Sequence, residues 1–150
     1  MNRLLLKKHF CSIYERFIEL KGAPREIALG FSLGLTIGMT PFLGAHFVTC
    51  IVLASLLGWS KIAAMAGVNI TNVFTAPFIY PVTYWVGAQL VGVSKSVQWP
   101  VSFTTEAVVA LVKQSPLILV DMSVGGLILG IPLAIAGYVL ALRAVRLYRR

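Results

Sequence analysis

Acidic residues are what this chain has least of: five Asp and Glu stand against 13 Lys and Arg, leaving a formal net charge of +8. Charge of either sign is missing altogether from long stretches, since no Asp, Glu, Lys or Arg occurs in residues 27–60, 62–94 or 122–142. Ordinary soluble domains carry about 25% charged and about 45–50% apolar residues. Here the figures are 12% and 58%, with a mean hydropathy of +0.86. A chain of 150 residues forms one domain and cannot wrap three such runs in a polar outer layer, which excludes an ordinary soluble fold. Cysteine is scarce too. Cys11 and Cys50 fall in separate segments, so neither a disulfide framework nor a cysteine metal pair is expected. The opening MNRLLLKKHF has too short an apolar stretch before its lysines for a cleaved signal peptide, and the mature protein is expected to begin at Met1.

The apolar runs set the architecture. About 20 helical residues cross a hydrocarbon core of about 30 Å. Residues 122–143 make one such span, whereas the first two runs are too long for one and carry breakers in their middles. In GLTIGMTPFLGAH, Pro41 removes a backbone donor and Gly44 permits a turn, so a helix is expected to stop near Thr40 and a second segment to open at His46. In NITNVFTAPFIYPVTYW, Asn69 and Asn72 share a helix face with Thr75 beside them, and Pro77 and Pro81 follow as a second break. Irregular backbone at membrane depth persists only where protein or trapped water satisfies its polar groups. Upstream, Leu6, Phe10, Ile13, Tyr14 and Phe17 recur at helical spacing, which predicts an amphipathic interfacial helix over 1–22.

The expected fold is therefore an all-α polytopic membrane protein. Broken or re-entrant helix pairs occupy 25–60 and 62–94, an interfacial loop or short helix 98–120, a transmembrane helix 122–143 and a basic tail 144–150. Gly30, Gly34 and Gly38 recur every fourth residue, and Gly126 and Gly130 share a face of the last run. Small-residue faces let helix backbones approach closely, either within one chain or at a dimer or pore seam. Arginines and lysines cluster before the first run and after the last, which marks both ends as cytoplasmic and facing anionic lipid. Crossings are then even in number, so one broken run crosses and the other returns. That placement of charge, with no base-reading module, argues against a nucleic-acid partner.

The stretches PREIALGFSLGLTIGMTPFLGAH and NITNVFTAPFIYPVTYWVG resemble the bacterial membrane family called domain of unknown function 2062. The resemblance is strong over 24–92. It rests on the glycine-spaced helix, the proline-glycine break and the asparagine-threonine-proline-tyrosine stretch. The chain departs from it at Val73, where the family pattern implies proline. The resemblance implies the bacterial inner membrane and, through relatives joined to sugar-transferring domains, lipid-linked precursors. A weaker architectural likeness, carried by the break and by Tyr84 to Gly87, is to DedA and SNARE-associated membrane proteins, which implies movement of polyprenyl phosphate or phospholipid between leaflets.

Enzymatic chemistry has little to work with, because the runs hold no carboxylate and His46 is their one imidazole, without a partner acid or second metal ligand. No catalytic residue, metal or cofactor is expected. A transport or lipid-handling role uses what is present: a cavity lined by His46, Asn69, Asn72, Thr75 and Thr40, with Arg25 at the run's end to neutralise a phosphate. The ligand would be an anionic lipid, a lipid-linked phosphate or a small anionic solute. The alternative is an oligomeric scaffold that holds a partner such as a glycosyltransferase. A homo-oligomer is expected in either case, since so few spans make a thin wall.

Overall fold

The computed structural model describes residues 22–41, 45–71, 75–94, 109–110, 113 and 115–149. The segments expected over 1–22 and 98–120 lie wholly or largely outside the described residues, as do Gly44, Asn72 and Val73. Among the described residues the chain is all-α without strands: α1 (Pro24–Gly38), α2 (His46–Leu56), α3 (Lys61–Val68), α4 (Ala76–Leu90) and α5 (Ile118–Tyr148).

Local chemistry sets the helix ends. Pro24 occupies the first turn of α1, where its missing N–H costs nothing, and the Glu26 carboxylate accepts the Ala23 N–H at 3.1 Å. The helix stops at Gly38, three residues ahead of Pro41. Met39 and Thr40 then donate their N–H groups to Thr36 and Ile37 at 3.3 and 3.0 Å, tightening the last turn. α2 ends in a reversal at Gly58, whose φ of +69° suits a residue without a Cβ. Ser60 caps α3, its Oγ accepting from the Ala63 N–H at 3.3 Å, while the Ser60 N–H donates to the Glu26 carbonyl at 3.2 Å. The start of α3 is thus level with the start of α1. The first broken run comes back to the end it left.

α3 then runs parallel to α1, with Ser60 opposite Gly30, Ala64 opposite Gly34 and Thr71 opposite Gly38. α5 lies antiparallel to α1: Val145 packs with Ile27, Leu35 meets Gly137, Met39 meets Gly126 and Gly130, and the Ser32 hydroxyl donates to the Ala134 carbonyl at 2.9 Å. α4 is antiparallel to α5 as well, with Gly125 opposite Thr83 and Asp121 opposite Gly87. Consequently α1, α3 and α4 all head away from one end of the structure, and α2 and α5 head toward it. The second broken run advances in one direction through its break.

Two expectations are corrected. Pro81 does not break the chain: α4 runs through it, because in the second turn it costs only the one bond to the Pro77 carbonyl, and Pro77 itself sits in the opening turn. The last helix also exceeds 122–143 at both ends, so that the basic tail from 144 continues it to Tyr148, where Arg146 suits the negative end of the helix dipole.

The interior is built from small side chains and the exterior from large apolar ones. Ala28, Ala54, Ala63, Ala64 and Ala134 are buried, whereas Leu56, Phe78 and Leu140 are 77%, 75% and 66% exposed. α5, with a mean hydropathy of 2.1 over its most apolar part, is the one helix among the described residues long and apolar enough to cross a membrane. The glycine faces are used inside the chain. A Cβ on Gly34 would overlap the Ala64 carbonyl and lie 2.7 Å from the Val68 nitrogen, and one on Gly67 would overlap the Phe31 carbonyl. Gly34→Val is therefore expected to destabilise the fold by the ~1–3 kcal/mol of an overpacked core, or more since backbone must move. Ala66→Val, on the exposed face of α3, should stay within about 0.5 kcal/mol of the parent. Thermal unfolding in detergent measures both, and equal midpoints would remove the seam from this account.

Candidate functional site

The two breaks meet. Gly38 and Met39 end α1 against the end of α3: a Cβ on Gly38 would lie 2.9 Å from the Thr71 hydroxyl and 3.4 Å from the Val68 carbonyl. The Met39 carbonyl touches the backbone of α5 so closely that only glycine fits at position 126. The end of α1 at Met39 and Thr40 and the end of α3 at Asn69 to Thr71 therefore share one level of the structure, with α5 behind Met39 and the N-termini of α2 and α4 opening there, at His46 against Thr40 and at Thr75 against Ile70.

Several polar side chains at this level satisfy backbone carbonyls that the breaks release. His46, 5% exposed, has its Nε2 2.9 Å from the Thr40 carbonyl. A carbonyl only accepts, so Nε2 carries the proton in this bond. The Thr40 hydroxyl donates to Ile37 at 2.6 Å and the Thr75 hydroxyl to Ile70 at 2.8 Å. Thr71 is buried against Gly38. Asn69 caps the end of α3 and is exposed. Thr40 and His46 are thus brought together, Thr75 and Asn69 belong to the neighbouring break, and Arg25 joins neither. It lies at the other end of α1, whose 15 residues rise about 22 Å.

A second polar locus was not among the sequence candidates. Asp121 is fully buried where α5 meets the end of α4. Gly92, with φ +60°, turns the chain after α4 so that the Val93 and Ser94 N–H groups donate to the Asp121 carboxylate at 3.2 and 2.9 Å. The Ser94 hydroxyl donates to the same carboxylate and lies 3.3 Å from the Tyr84 hydroxyl. A buried carboxylate with three donors is a pin holding the α4 turn onto α5. The available signal was a lone acid bordering the third apolar run. Gly87 and Gly125, which admit the close crossing beside it, lack the four-residue spacing that singles out Gly30, Gly34 and Gly38.

Among the described residues no group of three or more His, Cys, Asp or Glu is placed to hold a metal. The class that emerges is a small all-α protein with interrupted helices and one candidate membrane span. A family model described as "uncharacterized protein conserved in bacteria (DUF2062)" matches residues 7–150, and the chain belongs to that family. No curated protein and no solved structure matches it.

Each locus makes a stability prediction. Asp121→Ala strands three donors and should cost roughly 3 kcal/mol or more, with Asp121→Asn less damaging because one acceptor remains. His46→Leu frees the Thr40 carbonyl and should cost about 1–2 kcal/mol, partly recovered in His46→Gln, whose amide can donate. Unfolding midpoints in detergent read both orders, and a reversed order within either pair would contradict the assigned role.

Proposed function

We propose that the protein is a multi-pass protein of the bacterial cytoplasmic membrane that binds an anionic lipid or lipid-linked phosphate and passes it between leaflets at the level where the two breaks meet. The observation that carries this reading is that meeting of breaks against α5. It gathers interrupted backbone, the starts of two helices and the His46, Thr40 and Thr75 side chains at one depth. Interrupted helices with N-termini turned toward one depth are how membrane proteins receive anions away from water.

In this reading α1 and α2 form a re-entrant hairpin, α3 and α4 together cross once, and α5 crosses back. Both basic segments then face the cytoplasm, in keeping with the even number of crossings. Large apolar side chains on the outside of α2, α4 and α5 would face lipid rather than water. The role is non-enzymatic: the ligand moves and is not chemically changed. A scaffold that assembles through glycine seams around a partner such as a glycosyltransferase is less well supported, because Gly30, Gly34, Gly38, Gly126 and Gly130 are all occupied within the chain. A homo-oligomer remains part of the proposal, its contacts made by the exposed apolar faces instead.

Two measurements test the reading. With Cys11 and Cys50 replaced by serine, Lys61→Cys at the α2–α3 turn should react with an impermeant maleimide from the same side as Arg143→Cys, and Gln89→Cys from the opposite side. In proteoliposomes, fluorescent phosphatidylglycerol in the inner leaflet should become accessible to dithionite faster than in protein-free vesicles, and His46→Leu should slow the exchange several-fold. Labelling of Lys61→Cys and Gln89→Cys from one side would overturn the topology. Exchange no faster than in empty vesicles would overturn the transport step.

A further inference from the structure

At the end where α1 begins and α5 finishes, Pro24, Arg143, Arg146, Leu147 and Arg149 line an open groove of about 490 Å³. Three arginines near the end of α5 line it, and among the described residues no acid does. The nearest carboxylate in sequence, Glu26, is turned back onto the Ala23 N–H. Arg149 also ties the ends of the chain together, one of its amines donating to the Gly22 carbonyl at 2.6 Å. At the same end of the structure, Ile27, Ala63 and Val145 are fully buried against one another, so α1, α3 and α5 are packed together there.

Its depth follows from helix length. The charge-free stretch 122–142 rises about 32 Å along α5, matching a hydrocarbon core of about 30 Å. Arg143 therefore begins at the headgroup layer. We propose that this groove binds the phosphate of an anionic phospholipid headgroup on the side of the membrane where both basic segments lie. Arginine presents paired N–H donors that match phosphate oxygens. The first turn of α1 adds positive dipole to the same wall, and Leu147 and Pro24 supply apolar surface for the glycerol and first acyl carbons. The site lies at the opposite end of α1 from His46, and it rests on reading α5 as a span but not on lipid movement through the breaks.

The test uses the full chain reconstituted in mixed phosphatidylcholine and phosphatidylglycerol vesicles, released into mild detergent and read by native mass spectrometry. Retention of phosphatidylglycerol over phosphatidylcholine is expected. Arg143 and Arg146 are both exposed, and R143Q/R146Q should lower that retention about tenfold or more while helicity stays unchanged. R143K/R146K should fall between, keeping charge but losing the paired geometry. R25Q/K61Q, at the same end but outside the groove, should retain as much phosphatidylglycerol as the parent. An equal loss in R25Q/K61Q would overturn the proposal in favour of diffuse surface charge. Displacement of the lipid by millimolar inorganic phosphate would overturn it in favour of a free anion. Loss of lipid preference with the maleimide pattern intact would remove the groove alone and leave the topology standing.

Discussion

At Gly30, Gly34 and Gly67 the backbones of α1 and α3 touch with no side chain between them, and at Gly87, Gly125 and Gly126 α5 meets α4 and the end of α1 in the same way. Close approach of this kind trades hydrophobic side-chain burial for dense van der Waals contact between main chains, which is the available attraction where helices are surrounded by apolar solvent. It also fixes registers. Because a single added methyl at Gly34 would overlap a carbonyl oxygen, α1 can sit against α3 only with Ser60, Ala64 and Thr71 in step with its three glycines. That register places Gly38 beside Thr71, and so it is the seam that makes the two breaks coincide.

Once the breaks coincide, the unpaired backbone has to be satisfied locally. The side chains at that level are short or planar donors: two threonine hydroxyls that reach back three and five residues, and an imidazole that reaches back six. Each serves a carbonyl released by the interruption of a helix. These bonds give His46 and Thr75 a structural role that any ligand-binding role must share. An anion entering the level would meet a histidine already oriented by the Thr40 carbonyl, with Nδ1 as its second ring nitrogen.

Much of this was legible from residue order. The charge-free runs announced apolar helices, Pro41 announced the first interruption, and the four-residue glycine spacing announced a close helix contact. Three things were not. Which helix a glycine face meets depends on tertiary register, so the choice between an internal and an external seam could not be made from spacing. Pro81 looked like a second breaker because proline's lost bond is the same anywhere in sequence, while its cost depends on the turn it falls in. Asp121 could not be singled out because its partners, Val93 and Ser94, lie 28 and 27 residues away and come within reach through the Gly92 turn.

Among the described helices, α5 is the element that joins α4 to the packed set of α1, α2 and α3. α1, α2 and α3 pack on one another, whereas α4 makes its extensive contacts with α5 alone among the described helices. Adjacent glycines divide the work, Gly125 facing α4 and Gly126 facing α1, since neighbouring positions on a helix point about 100° apart. The same helix is fixed at its start by the buried Asp121 carboxylate and near its end by Val145 against α1 and α3. The level of the breaks lies between those two attachments, where α4 follows α3 in sequence and, among the described helices, packs extensively on α5 alone. The spacing of α4 from α1, α2 and α3 at that level is therefore set by α5, through the one-residue offset of its glycines and the carboxylate pin below them.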